Sequence, residues 1–507
     1  MQLPALRIAR DMGWYVAAAD GNPRAEGRSL CDEFLHIDLR DTPGLIRAAG
    51  EIDGTRGLDA VFTAGTDFSL AVARIAEALG LPGHSPEAAS LATDKLLMRR
   101  RFQEAGVPSP AFAEIGPGDN PREAAGRIPG PWVVKPVDSM GARGVVKVES
   151  PENLADALEE ARSFSFSRRA LVETLVEGPE YSLDALVEDG RFIPCGLADR
   201  HIEYPPCFIE MGHTIPSVLP AETADEIWKV FEQGVRALGL TRGAAKGDIR
   251  LSSDGPVIGE IAARLSGGYM SGWTYPYATG IEPVRGALRL AAGLPASLPE
   301  APLSLVCAEK ALIGIDGRVR NLDGRDKALG LPGVREVFLR FSPGMEIRFP
   351  RNNVEKAANV IATGRDAEQA EERALAGLRA LNLELDPSDS ATGVFLDAEG
   401  GFPPDAFDVS GEEEFSSFLN QVRKAHVPRP SRGFPGAPDE KAVIPLPPPS
   451  IVRDYTGRSI ADVLAVLVSE GRIQHTGKVD KSVLSDFWKA VIRGGLPGGR
   501  WYLEHRS

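Results

Sequence analysis

The sequence predicts an α/β chain in three parts: a Rossmann-like parallel-sheet unit, a larger α+β unit, and a small, mainly helical C-terminal extension. Three observations carry this expectation. Over the first 88 residues, short apolar runs closed by Gly, Asn and Pro alternate with helical segments. From 89 to about 300, helices alternate with β-branched strands punctuated by glycine. Between Pro428 and Pro449, eight of 22 residues are proline, a semi-rigid linker composition that sets off the last helices.

The elements follow in order. Leu6–Arg10 starts a helix that ends near Gly13, and Tyr15–Asp20 is an apolar run stopped by Gly21-Asn22-Pro23. Phe34–Asp38 and Ala60–Thr63 read as two further strands. A unit of this kind normally begins with a strand and a glycine-rich turn, whereas this chain begins in the helix; the expectation is that Met1 is an internal start with residues upstream. The expected divisions are 1–88, 89–300, a lobe at 301–385, an irregular and Pro-rich linker at 386–450, and a helical extension at 451–507. The lobe contains the strand Glu336–Leu339 and a helix near Asp366–Leu381, and the extension contains helices at Ser459–Gly471 and Asp480–Arg493.

Composition narrows the function. The chain has 507 residues, 43% apolar and 25% charged, as in a globular protein. Acidic residues exceed basic ones by 71 − 57 = 14, which argues against duplex nucleic acid and basic membrane-surface binding. Cys31, Cys195, Cys207 and Cys307 lie far apart, so neither a disulfide framework nor a zinc ribbon is expected, and Cys195 and Cys207 read as structural. No apolar run approaches the roughly 18 residues of a membrane span, and Arg7, Arg10 and Asp11 interrupt any signal-peptide pattern. A cytoplasmic protein is expected.

Four segments carry chemistry. In Thr93-Asp94-Lys95, Thr93 or Asp94 can cap a helix, placing the Lys95 ammonium beside free N–H groups, a pairing that suits a phosphate. Lys135 interrupts the β-branched strand Trp132–Pro136, where lysine is unusual, and is followed by the Ser139-Met140-Gly141-Ala142-Arg143-Gly144 loop. Such a loop is a flap whose bare amides can close over a triphosphate, although a plain glycine-rich hairpin has the same look. Leu171–Ser182 runs as a strand into a Gly178-Pro179 turn, with Glu173 able to accept from an adenine amino group and Glu180 from ribose hydroxyls. Asp248 and Glu260 each lie six residues from Asp254, so a three-residue loop centred there would set them opposite each other. Two facing carboxylates repel unless a cation bridges them, and Mg²⁺ does so where phosphates supply its other ligands. Glu260, Ala262 and Arg264 share one strand face by alternation. The seven histidines form no Ser-His-Asp or Cys-His set, so covalent catalysis has no clear candidate.

In this order the segments resemble the ATP-grasp superfamily over roughly residues 1–385, with Phe62-Thr63-Ala64-Gly65-Thr66-Asp67 in what looks like its pre-ATP-grasp domain. The resemblance implies that Lys95 and Lys135 bind ATP phosphates, and that Ser139, Gly141, Arg143 and Gly144 belong to the flap. It implies that Glu173 and the Val176 backbone hold adenine and that Glu180 holds ribose. Asp248 and Glu260 would bind Mg²⁺, or Mn²⁺ in its place, and Arg264 would stabilise the transferred phosphoryl group. Family members often have Glu-x-Asn-x-Arg where this chain has Ala262, which puts a second metal ion in doubt. Ile209–Pro216 and Arg264–Gly268 are similar to segments bordering the acceptor pocket of the amino-acid-ligase-like branch, so Glu210, His213, Ser266 and Gly267 are candidate substrate residues. His213 reads equally as a turn histidine packed near Pro216. Asn352–Gly364 resembles that branch's C-terminal lobe.

The expected activity is ATP-dependent carboxylate–amine ligation through an acyl phosphate. Its partners would be small carboxylates and amines and a second chain in a homodimer, without nucleic acid or membrane. Rival readings are a biotin-carboxylase-like or ribonucleotide-ligase-like enzyme, and a nucleotide-binding scaffold or sensor without turnover. Ala262 and the absent first strand motivate the last of these.

Overall fold

The computed structural model describes residues 2–116, 119–298, 303–398, 400–424, 447, 450–473 and 481–505. Two compact units form: Met1–Glu309 with Ala362–Glu371, and Lys310–Ile361 with Glu372–Ser507.

In the first unit, β1 (Ala17–Asp20) pairs in parallel with β2 (Glu33–His36), as alternating strands and helices require. Ala60–Thr63, expected as a third strand, makes no strand pairing. A strand exists only by hydrogen bonding to a neighbour, and none is offered there. Phe62 instead packs on the apolar cluster around Leu186 and Leu265.

A four-stranded antiparallel sheet comes next, in the order β3-β6-β4-β5: β3 (Phe112–Glu114), β4 (Trp132–Pro136), β5 (Val146–Val148) and β6 (Ala170–Thr174). The helix Leu154–Phe164 covers it, setting Leu154, Leu158 and Ala161 on Trp132, Val134 and Val172.

The larger sheet of this unit is antiparallel in the order β11-β10-β7-β8-β9. Its strands are β7 (Glu180–Glu188), β8 (Arg191–Glu203), β9 (Ile209–Ile215), β10 (Gly243–Ser252) and β11 (Gly255–Ala262). The strongly amphipathic helix Ala221–Ala237 lays Ile227, Phe231 and Val235 on Ile249, Ile258 and Ile261. Each of these six is at most 1% exposed, so each apolar side chain stabilises the layer by about 1.5–3 kcal/mol. The helix Pro283–Ala291 places Val284 and Ala287 in the cluster of Leu186 and Ala244.

In the second unit, Gly317–Asp323 lies between Glu346–Ile347 and Asn382–Leu385 in a small sheet. Ser459 caps the helix Ile460–Ser469 through a capping box with Asp462. The last helical stretch, Lys481–His505, is broken at Gly495 (φ 60°, ψ −146°), just before Pro497 and two residues after the expected end at Arg493, and a second helical segment follows the break. Asp480, its expected start, lies outside the described residues. Arg320 and Arg472 both bond Glu384 and Glu504, tying this helix to the small sheet. The stretch expected to be an irregular linker carries helices instead, Ser390–Asp397 and Glu413–Lys424. Their apolar positions explain this: Phe395, Leu396 and Phe415 are buried. The Pro-rich run, except Pro447, lies outside the described residues. Among the described residues no helix is long and apolar enough to cross a membrane.

Candidate active site

Three β-bulges place the acids of the large sheet. β10 turns into β11 through the two residues Ser253-Asp254, with Ser252 paired to Gly255, so the loop is one residue shorter than expected. Carried on unbroken, this register would set Asp248 against Gly259 and turn Glu260 to the other face. Gly259 is instead an extra residue: Ile249 pairs with Ile258, while Asp248 pairs with Glu260. The two carboxylates stand opposite each other as expected, by a different route. On β9 the extra residue is Met211, since His201 pairs with Gly212 and Ile202 with Glu210. This brings Glu210 to 3.8 Å from His213, three residues on. On β8 the extra residue is Cys195, opposite Asp184 and Ala185.

The carboxylate pair is ringed by cations. Asp94 caps the helix Lys95–Ala105 by accepting from Leu96 N and Leu97 N, so Lys95 opens its first turn as predicted. The Lys95 ammonium is buried, donates to the Ser139 carbonyl at 2.9 Å and lies 3.4 Å from Glu260. Lys246 donates to Asp248, and Arg200 stands 3.2 Å from it. Burial works to raise the Asp248 pKa, but Arg200 and Lys246 outweigh it and hold the carboxyl well below the usual range. Burial likewise opposes ionisation of Glu260, and Lys95 and Lys246 again prevail. Lys246 is the cross-strand partner of Ala262, so an ammonium reaches toward Asp248 from beside that alanine.

Glu173 is placed differently from expectation. It is 2% exposed, and its carboxylate lies between Arg99 (2.8 Å) and Lys135 (2.5 Å). Lys135 pairs with Leu171 and Val133 with Glu173, so Lys135 and Glu173 are diagonal neighbours on one face. With both oxygens engaged by cations, Glu173 holds Lys135 rather than facing an open pocket. Burial would raise its pKa, but Arg99 and Lys135 keep it low. Arg99, wholly buried, also donates to the Gly259 carbonyl and so links β6 to the bulge.

The flap joins β4 to β5. Ser139 is buried, and Arg143 turns back to donate to the Met140 carbonyl at 3.0 Å. Gly144 has φ +67°, and a Cβ there would meet Phe164 at 2.8 Å, so only glycine fits without displacement. Beside the flap, Lys147 N donates to the Pro206 carbonyl at 3.1 Å.

A cavity of about 320 Å³ opens where Leu175–Glu180 meets Arg200, Arg250, Phe208 and Lys147. Val176 and Glu180 line it. The Glu180 carboxylate is bonded by Arg200 and Arg250. At Gly178 (φ +122°) a Cβ would strike the Leu251 carbonyl oxygen at 2.0 Å, which is why the strand turns there on glycine. Lys95, Lys135 and Glu260 do not line this cavity.

Arg264 is 5% exposed and donates to Asp67 at 3.2 Å and to the Leu265 carbonyl at 2.9 Å. His213 is fully buried, with Nε2 2.9 Å from Thr274 Oγ1 and Nδ1 3.4 Å from Glu309. Glu210 accepts from Arg200 at 2.8 Å. Ser266 N donates to Asp184, and the Gly267 carbonyl accepts from Met270 N. Sequence reasoning missed Arg99, Arg200, Lys246 and Asp184. The signal that singled out Lys135, a lysine in an apolar strand, was equally present at Lys246.

Among the described residues no three His, Cys, Asp or Glu side chains gather as a metal cage. Two opposed carboxylates fit a hard cation that arrives with phosphate oxygens as its remaining ligands.

The ATP-grasp domain family matches residues 128–272, and the L-amino acid ligase C-terminal domain 2 family matches residues 312–386. A D-alanine–D-alanine ligase of Desulforudis audaxviator is 30% identical over 281 residues, covering 50% of this chain and 87% of the relative. Carnosine synthase 1 of Gallus gallus is 30% identical over 319 residues, 58% of this chain, and the match spans only 34% of that protein's length. The crystal structure of an L-amino acid ligase from Bacillus licheniformis superposes with a TM-score of 0.66 at 22% identity, over 76% of this chain and 97% of that one, a likeness of fold. The chain belongs to the ATP-grasp superfamily.

Proposed function

We propose that this protein is an ATP-dependent ligase that joins a small carboxylic acid to an amine, releasing ADP and phosphate. The observation that carries the reading is the Asp248–Glu260 pair, opposed across a hairpin and ringed by Lys95, Lys246 and Arg200. The printed name of the D-alanine–D-alanine ligase relative supports it. A divalent cation held by Asp248 and Glu260 would neutralise charge on the phosphates. In the first step the γ-phosphoryl group leaves ADP and forms a new P–O bond to the substrate carboxylate. Lys95 and Lys135 neutralise the phosphate oxygens, and Glu173 with Arg99 keeps the Lys135 ammonium in place. Arg264 stabilises charge on the transferred group. In the second step the amine nitrogen attacks the acyl carbon, phosphate leaves, the amine gives up a proton, and an amide results. The flap closes over the triphosphate, Val176 and Glu180 receive the nucleoside, and Glu210, His213, Ser266 and Gly267 border the acceptor.

The test is ADP release from Mg²⁺-ATP with pooled amino acids and small carboxylates, with hydroxylamine as a trap. ADP together with a hydroxamate is the expected result. ADP formed only with bicarbonate, or ATP binding without ADP formation across the pool, would overturn the reading.

A further inference from the structure

Asp184 lies on β7, 0% exposed, and takes no part in the two chemical steps of the ligase reading. Its Oδ1 accepts from Ser266 N at 2.8 Å, and its Oδ2 lies 2.7 Å from Ser271 Oγ. Ser271 Oγ is also 2.8 Å from the Ser266 carbonyl oxygen. A hydroxyl has one proton. If Asp184 is ionised, the Ser271 proton serves either Asp184 or Ser266, and one short contact is left without a hydrogen. If Asp184 carries a proton on Oδ2, that proton goes to Ser271 Oγ, the Ser271 proton goes to the Ser266 carbonyl, and Ser266 N–H still reaches Oδ1. Three hydrogen bonds then close a ring with no buried charge.

The surroundings favour the neutral form. Lys246, paired with Asp184 between β10 and β7, pulls the Asp184 carboxyl down, but its ammonium is donated to Asp248 and burial outweighs that pull. Cys195 stands in the bulge opposite on β8, and burial pushes its thiol up. Tyr275 donates to the Gly196 carbonyl at 2.8 Å, and burial pushes its phenol up as well. Among the described residues no cation forms an ion pair with Asp184. Burial pushes its carboxyl up to about 6 against the hydrogen bonds from Ser271 and Ser266.

The loop that Asp184 holds needs holding. Gly268 and Tyr269 are consecutive left-handed residues (φ 60° and 73°), strained at the tyrosine, and Met270–Thr274 is a π-helical turn. The same loop begins at Arg264, and a Cβ on Gly268 would lie 3.7 Å from Glu210 Oε1.

We propose that Asp184 is a positioning residue that works as a neutral acid: its proton closes the ring through Ser271 and Ser266 and fixes the 264–271 loop for the amine-accepting step. The role in that step rests on the ligase reading; the effect on the loop does not. Asn at 184 mimics the neutral acid, accepting through Oδ1 and donating through Nδ2, whereas Ala leaves the loop unheld.

The experiment is hydrogen exchange of amides 265–271 in the full chain from pH 5 to 8.5, corrected for intrinsic rates, alongside steady-state kinetics. In the wild type, protection should fall as pH rises through the titration of Asp184. Asp184→Asn should stay protected across the range, and Asp184→Ala and Ser271→Ala should be unprotected throughout. The alanine variants should raise KM for the amine about tenfold and leave KM for ATP within twofold, and Asp184→Asn should restore the amine KM. Loss in Asp184→Asn equal to that in Asp184→Ala would mean that the carboxylate itself is required, and would overturn the proposal. So would wild-type protection that does not vary with pH. If Asp184→Ala does not fold, Ser271→Ala carries the test. Absence of ligation with every acid would sink the ligase reading alone, and exchange would still decide the role of Asp184.

Discussion

Asp248 and Glu260 pair directly across the β10–β11 hairpin because one residue between them and the turn, Gly259, is left out of the ladder. The bulge is braced by Arg99, 160 residues away in the chain, so the geometry of the acidic pair depends on a buried guanidinium as well as on the hairpin itself.

Removing one carboxylate from that pair should stop the chemistry and spare the fold. Glu260→Ala should lower ADP release about 100-fold or more, the scale of losing several kcal/mol of charge stabilisation, with little change in melting temperature. Its side chain is 24% exposed, and its buried partner Lys95 keeps the Ser139 carbonyl as an acceptor, so a folding defect is not expected. Turnover at the wild-type rate would mean that Glu260 binds no metal.

Arg264→Ala should lower kcat more than it raises KM for ATP, because the guanidinium is assigned to charge that develops on the transferred group. Initial rates over a matrix of ATP and acid concentrations separate the two. Equal losses would place Arg264 in ground-state binding.

Arg99→Met leaves Glu173 buried beside Lys135 alone and removes the donor at the Gly259 bulge. Breaking a buried pair in this way costs about 3–5 kcal/mol. Adding Glu173→Gln to Arg99→Met should recover part of the loss, read by denaturant titration of both variants. A fully additive double variant would show that the two side chains do not act as a pair.

His84 gives a pH signature. It is half-buried, with Nε2 3.0 Å from the Ala244 carbonyl oxygen and Nδ1 accepting from Arg242 N. Desolvation lowers its pKa from 6.5 to about 4, against the hydrogen bond to Ala244. Between these values the unfolded chain binds a proton that the folded chain refuses. Stability is therefore complete above pH 6.5 and falls as pH drops toward 4, by about 3 kcal/mol for a shift of this size. His84→Gln should lose less stability between pH 7 and pH 4.5 than the wild type, measured by thermal melts. Parallel curves would show that His84 titrates normally.

Much of this site can be read in the sequence because its parts are local. The Asp94 cap and Lys95 are adjacent, the Gly141–Gly144 turn follows from residue type, and the two halves of the β10–β11 hairpin are separated by two residues. Lys135 stood out because a lysine in a β-branched strand needs a reason. The reason, Glu173, lies across β4 and β6, where a diagonal contact depends on register. Ala60–Thr63 had the composition of a strand without a strand to bond to.

The order of the chemical groups, the hairpin and the helix caps were determined by the sequence itself, since each follows from residue types within a few positions of one another. Tertiary structure alone decided which way those groups point. Gly259, Met211 and Cys195 each drop out of a strand ladder, and each omission turns the following side chains to the other face of the sheet. A bulge costs hydrogen bonds that only distant partners can replace. Arg99 and the loop at Ser266 and Ser271 reach these strands from distant parts of the chain, so neither the spacing of residues along a strand nor their alternation could foretell the faces they share.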